Sequence, residues 1–432
     1  MSWSLHDATQ LERRGRPTVL LGTEPFRSLA TTAAAAAGMP HLSIALVGHP
    51  LGGVDPKLIR DRAETIVDAV LAALTTDPAV PAAKTVTPSE TIRVADDLDA
   101  FQETAMTRGW SDGLPVLPPT AARVARLVAA TKMARDTVVV PSLAPAMRPA
   151  TVEMIAINAA MTGAAPEHMP VVLAALRALA DPAFNLNAIQ TTTHPCTPLL
   201  IVNGPIAAAL GISGGANALG NGHRANAVIG RAVRLVLQNV GGAVPGETDR
   251  ATLGHAGKFT YCLAENEAES PWPPLHVERG FGRQESCVTV LGAAGPNNVN
   301  DHGSASAASL LKALAGTLAM PASNNIYYGG EALVIVGPEH ARTIADSGWS
   351  KSDLKRALWE HGRVRIDAFS GENLARYKHI IPGRFDATEP GATVSPTLRA
   401  EDLIVIVAGG PGKHSSIVPT FGATRSVTIR IE

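Results

Sequence analysis

Short apolar runs of β-type residues, separated by stretches long enough for a helix, recur along almost the whole chain, and this alternation limits what the chain can fold into. At the N-terminal end, residues 6–14 have helical periodicity that stops at Gly15. Residues 17–21 (PTVLL) read as a buried strand, and 25–36 as a helix stopped at Gly38. Residues 41–47 read as a second strand and 57–74 as a long amphipathic helix. This order of helices and strands implies parallel strands joined by helical crossovers. Further on, strands are expected at 138–140, 199–202, 259–263, 287–291, 333–336, 403–407 and 427–431. Helices are expected at 121–133, 152–161, 171–180, 226–239, 304–318 and 351–361.

The expected fold class is therefore α/β: a small doubly wound parallel-sheet domain over residues 1–85, followed by a larger α/β domain rich in loops over 98–432. Between them, residues 86–97 close a polar, Pro- and Thr-rich stretch and read as a linker. The 39 glycines and 32 prolines give loops a large share of the second domain, and no internal repeat of fixed period is visible. With 432 residues, 46% hydrophobic and 17% charged, the chain is long and apolar enough for two or three cores. So few charges imply that some surface is buried between subunits, so a homo-oligomer is expected. A net charge of −1 offers no field for nucleic acid or an anionic membrane. Three cysteines, none in C-x-x-C spacing, exclude a disulfide scaffold and argue against a cysteine zinc site. No apolar run approaches the roughly 20 residues of a membrane span, the N-terminus lacks a signal-peptide pattern, and the cytoplasm is the expected compartment.

Several stretches carry chemistry. In VAGGPGKHSS, Gly409, Gly410 and Gly412 permit a tight loop with free amides beside Lys413 and His414, suited to an anionic group. It departs from a Walker A loop, because Val407 stands where the first glycine belongs. Arg224 and Asn226, at the end of a glycine-rich loop opening a helix, could clamp a carboxylate. His194 in a proline-bounded loop suits proton transfer near neutral pH. In KFTYCLAENE, Cys262 is a candidate redox or nucleophilic thiol, and Glu265 and Glu267 are a candidate acid/base pair. With His276 and Glu278 they make a runner-up divalent-metal cluster, although no metal ligand is assigned. The string Gly211-Ile212-Ser213-Gly214-Gly215 fits G-x-S-x-G but lacks the strand that a nucleophile elbow needs immediately before it. Each stretch also has a plainer reading, as a turn, a cap or a buried core residue. Asn297, Asn298, Asn300, Asp301 and His302 form an amide-dense segment that suits turns and caps as well as a polar substrate.

The strings Trp3-Ser4-Leu5-His6-Asp7, Leu11-Glu12-Arg13-Arg14-Gly15 and Glu24-Pro25-Phe26 resemble the UGSC family of selenoproteins and their cysteine forms. The loop Gly48-His49-Pro50-Leu51-Gly52 is similar to the selenoprotein subunits of glycine and proline reductases. Gly109 to Val116 (GWSDGLPV), Thr193-His194-Pro195, Ile201-Val202-Asn203-Gly204-Pro205 and Ala264-Glu265-Asn266-Glu267 resemble the large domain often found behind such a module. The resemblance implies a redox motif, selenocysteine or cysteine followed by Gly-Ser-Cys, placed directly before Ser2. It also implies that His6 lines the site from the first helix and that His49 contacts substrate. The motif itself is not in this sequence. Met1 is expected to be an internal methionine following a selenocysteine codon read as a stop, the alternative being a natural start.

The expected activity is that of a thiol- or selenol-dependent oxidoreductase acting on a small polar, anionic substrate. It would need no cofactor beyond the thiol/selenol pair, with a thiol reductant protein as a partner. A metal-dependent or acid/base lyase or hydrolase seated in the large domain is the alternative, and a non-catalytic substrate-binding subunit of a redox complex is another.

Overall fold

The computed structural model describes residues 2–75, 91–94, 96–387 and 389–432, with the side chains of Ser2, Trp3 and His6 excepted. Half of the expected linker over 86–97, residues 86–90 and 95, lies outside those residues.

In the N-terminal block, β1 (Val19–Thr23) and β2 (Ser43–Val47) pair in parallel, in register from Val19 opposite Ser43 to Thr23 opposite Val47. The expected crossover is present as the helix Arg27–Ala36. Its Ala30, Ala33 and Ala34 pack with Leu20, Leu42 and, from the helix Ser2–Arg13, Leu5 and Ala8. Small alanines on one helix face let the helix approach the strands closely. The single helix expected over 57–74 is broken into Pro56–Glu64 and Val67–Thr75.

The larger block opens with the helix Leu98–Thr107 and a strap over residues 109–116. The strap is clipped down by a bidentate ion pair, Arg231 Nε and Nη2 to the Asp112 carboxylate, each 2.8 Å, so this family-like string holds structure. A hairpin of β3 (Val138–Leu143) and β4 (Arg148–Thr151) follows. The main frame is a pair of four-stranded sheets. One is built from β5 (Thr197–Asn203), β6 (Cys262–Ala264) and β7 (Cys287–Ala293), while β8 (Asn297–Asn300) and β9 (Ala332–Val336) belong to the other. After the short pair β10 (Val364–Arg365) and β11 (Thr393–Val394) come β12 (Leu403–Val407), β13 (His414–Val418) and β14 (Val427–Arg430). The orders are β14-β7-β5-β6 and β8-β13-β9-β12. In each sheet one pair is parallel, β5 with β6 and β9 with β12, and the other pairings are antiparallel.

The period of two along the strands explains the layering. Leu199, Ile201, Leu291, Leu333, Ile335, Ile404, Ile406 and Val418 point between the sheets and form one core. Leu200, Val202, Val288 and Val290 point the other way, beneath the helices Val152–Thr162, Met169–Leu179 and Arg224–Asn239. Val334, Val336, Leu403, Val405 and Val407 point outward on the far side, beneath Ala307–Leu318, Pro338–Asp346 and Lys351–His361. Strands buried on both faces read as unbroken apolar runs such as LIVIV. The result is four layers, helix, sheet, sheet, helix.

Although the sequence has no repeat of fixed period, the topology does repeat. Strand, helices, parallel strand, antiparallel strand occurs twice, as β5–β6–β7 and as β9–β12–β13. The edge strands are exchanged: β7 runs on into β8 of the other sheet, and β13 into β14. The two crossings meet where the Ala294 N–H donates to the Pro419 carbonyl, 2.8 Å. Among the described residues no single helix is long and apolar enough to cross a membrane. The bent pair Pro166–Leu179 and Pro182–Thr191 is apolar because it is core.

Candidate functional site

The frame sends the predicted residues to two opposite ends. Those that follow the strands gather at the carboxyl ends of β5, β6, β9 and β12, where ligands of open α/β sheets commonly sit. His194 precedes β5 and lies at the other end.

At the carboxyl end, Asn203 closes β5 and Glu265 and Glu267 follow β6. Both carboxylates reach one amide: Asn203 Nδ2 donates to Glu265 Oε2 at 2.8 Å and to Glu267 Oε1 at 3.0 Å. Glu265 Oε2 also accepts from the Leu275 N–H, and Glu267 Oε1 from the Gly204 N–H at 2.7 Å. Burial, the largest influence, raises the Glu265 pKa, against the pull of Lys351, whose Nζ is 3.9 Å from Oε1. His276 is fully buried, with Nε2 3.4 Å from the Arg283 carbonyl and Nδ1 3.9 Å from Glu267 Oε1. Glu265 Oε1, Asn203 Oδ1 and His276 Nδ1 are buried with no hydrogen-bond partner. The runner-up metal cluster is overturned: among the described residues no three His, Cys, Asp or Glu side chains are placed to hold an ion. Glu278 turns to Lys351 and Lys355, 2.7 and 2.9 Å away.

The anion loop is also corrected. Two of its amides are already taken, Gly409 N–H by the Gly214 carbonyl at 2.8 Å and Gly412 N–H by Glu339 Oε1 at 2.7 Å. Gly410 lies against Ala216 so closely that an added Cβ would stand 2.5 Å away. Lys413 Nζ donates to the His302 carbonyl, and His414 turns to Asn298 and His302. Asn226 is buried and fully spent on the backbone of Ser213 and Ala218, so it staples the 213–218 loop. Arg224 is exposed and donates to the Gly163 carbonyl.

Cys262 is corrected as a nucleophile. It is buried under the helices, and burial pushes its thiol up to about 12, opposite to what a thiolate needs. Cys196 is likewise pushed to about 12 and Cys287 to about 11.

At the opposite end, His194 Nδ1 accepts the Cys196 N–H at 3.3 Å, which leaves the proton on Nε2. Burial, then His255 and Lys258, lower its pKa to about 4. At neutral pH it is an uncharged donor, a weaker base than the sequence suggested. Nearby, Asp249 is buried between Arg234, 3.0 Å, and Lys258, 2.7 Å, and Arg234 Nη1 donates to Gln190 Oε1. That bond fixes the Gln190 amide, whose Nε2 is buried without a partner, as is Arg250 Nε. The chain after Arg250 returns to His194, the Thr252 N–H donating to the Thr193 carbonyl at 2.9 Å.

The N-terminal block docks at this same end. The Arg250 guanidinium lies over the Phe26 ring, 5.2 Å from its centre, and Phe26 faces His49 at 6.1 Å. His49 Nδ1 lies 3.1 Å from Thr23 Oγ1, so the loops after β1 and β2 meet there, and the helix Ser2–Arg13 touches Leu186–Thr191. The His6 side chain lies outside the described residues. Sequence reasoning missed Gln190, Arg234, Asp249 and Arg250, because pairs brought together from separate helices and loops leave no local spacing to read.

No curated protein and no solved structure matches the chain. The family model of the UGSC family matches residues 1–76. That span contains β1, β2, the Phe26 contact and the His49 loop, so over residues 1–76 the N-terminal block is similar to the UGSC family.

Proposed function

We propose that this protein is a thiol- or selenol-dependent oxidoreductase acting on a small polar anion bound where the UGSC block meets the large domain. One observation carries the reading. The elements around that junction carry two buried hydrogen-bond donors without partners, Arg250 Nε and Gln190 Nε2, and a neutral His194 whose Nε2 holds the proton. Unsatisfied buried donors are costly, and a ligand rich in acceptors removes the cost. The three cysteines of this sequence are too buried and too weakly acidic to serve. The redox pair in this reading is the family's Sec/Cys-Gly-Ser-Cys motif, which loses two electrons to the substrate as it forms its own S–S or Se–S bond. A thiol reductant protein restores it.

Two measurements on the protein purified from its source test this. A thermal-shift screen of small carboxylates and oxyanions should find one that stabilises the wild type but not Arg250→Gln. The same protein with dithiothreitol should then reduce that anion. A screen in which no anion distinguishes the variant ends the proposed substrate class. An intact mass without the motif, and no co-purifying thiol protein, ends the redox assignment.

A second reading is favoured by the carboxyl end of β5 and β6. A buried Glu265 that holds its proton to higher pH, next to unpartnered Asn203 and His276 atoms, has the make-up of an acid/base centre. If Glu265→Gln abolishes turnover while Arg250→Gln leaves it intact, the chemistry sits there.

A further inference from the structure

At the carboxyl end of the second sheet, two imidazoles face each other across an open surface. His302 follows β8 and His414 opens β13, its neighbour in the sheet. Their Nε2 atoms are 3.4 Å apart, with ring centres 5.2 Å apart and planes at 82°. That separation is longer than the usual N–H···acceptor range of about 2.7–3.2 Å. It equals the roughly 3.4 Å spacing of two nitrogens around one tetrahedral ion at metal–nitrogen bonds of about 2.0–2.1 Å. The His414 tautomer fits as well. Its Nδ1 lies 3.0 Å from Asn298 Oδ1, an atom that can only accept, so Nδ1 carries the proton and Nε2 presents a lone pair. An outer hydrogen bond of this kind orients metal-binding histidines in general. Both rings are exposed, which leaves positions for water.

We propose that His302 and His414 chelate one divalent ion of the zinc class, with solvent completing a tetrahedral shell. No third protein ligand joins them, in keeping with the absence of any three-residue set among the described residues. The neighbouring Asp301 carboxylate is held by Ser304 and Gly303, and the Lys413 ammonium, bound to the His302 carbonyl, limits the affinity. The site lies at the opposite end of the sheets from the His194 junction and does not rest on the redox reading.

The test uses the full chain stripped of metal and titrated with zinc against a chromophoric zinc indicator. The wild type should take up one ion per chain that His302→Ala and His414→Ala each weaken at least tenfold. His379→Ala, which removes an exposed histidine elsewhere, should leave that ion in place. Asn298→Ala keeps both imidazoles and should weaken binding severalfold, separating tautomer control from loss of a ligand. Zinc should also raise the thermal midpoint of the wild type and not of His302→Ala/His414→Ala. A wild type that binds zinc no more tightly than the double variant, or one whose tight ion persists in it, overturns the proposal.

Discussion

The two halves of the large block share a frame and differ in its chemistry. In both, the first strand ends in Gly-Pro, at Gly204-Pro205 and at Gly337-Pro338. In both, that glycine is pressed against the carbonyl entering the third strand: an added Cβ would stand 2.3 Å from the Glu285 oxygen and 2.1 Å from the His414 oxygen. A serine hydroxyl then receives an amide of the turn, Ser286 from Ile206 at 3.1 Å and Ser415 from Gly337 at 3.0 Å. The carboxylate that ties the turn to the loop after the second strand has changed sides. In the first half it is Glu267, in that loop, and the amide is Gly204. In the second it is Glu339, in the helix, and the amide is Gly412. Backbone approach is thus the fixed requirement, and the direction of the charged hydrogen bond is free. Among the described residues, only the first half leaves buried acceptors open beside the turn; in the second, Ser415 and His340 satisfy each other at 2.8 Å.

The glycines give the largest test. Gly204→Ala introduces both the collision and a side chain at φ +84, and should cost about 3 kcal/mol or more. Gly337→Ala has an ordinary φ of −64 and only the collision, and should cost about 2 kcal/mol. Urea unfolding of each variant measures the difference. If both are tolerated, the close approach is not what the halves share.

Much of this frame was legible because it rests on local signals. Unbroken apolar runs marked β5, β7, β9 and β12, and helices such as Lys351–His361 stood where periodicity put them. What stayed hidden was pairing. β8 (NNVN) and β13 (HSSIV) are too polar to read as strands, yet each is held by its neighbour in the sheet. Their pairings reveal the repeated topology. The site was legible in composition and illegible in partnership: Glu265, Glu267 and His276 do assemble, but Asn203 and Lys351 arrive from distant elements. The glycine loop promised free amides, and its own chain fills two of them, from Gly214 and Glu339.

The exchanged carboxylate gives the middle-sized test. Glu267 accepts two hydrogen bonds, from Gly204 and from the buried Asn203, whereas Glu339 accepts one, from Gly412. Removing an ionised acceptor from buried donors costs about 1.5–3 kcal/mol. Glu267→Ala should fall near the top of that range and Glu339→Ala near the bottom, read as shifts in the urea midpoint. Equal losses would mean that the Asn203 contact adds nothing and that the halves are energetically alike.

The smallest effect concerns acid, and it should be one-sided. His194 precedes β5, whereas Gly329 and Gly330 stand before β9. The folded pKa of His194 is lowered to about 4 from an ordinary 6.5, so between those values the unfolded chain binds a proton that the folded chain refuses. Its contribution is therefore intact above about pH 6.5 and is lost as the pH falls toward 4. Because its ring is only partly buried, the slope should be shallow. Hydrogen exchange at pH 7 and pH 5, corrected for the intrinsic rate, should show β5 amides losing protection relative to β9 amides. In His194→Asn, which keeps an acceptor and cannot protonate in this range, that difference should vanish. Equal softening of both strands, or a slope that survives the substitution, would assign acid sensitivity to the shared frame instead of to the half on which the N-terminal block docks.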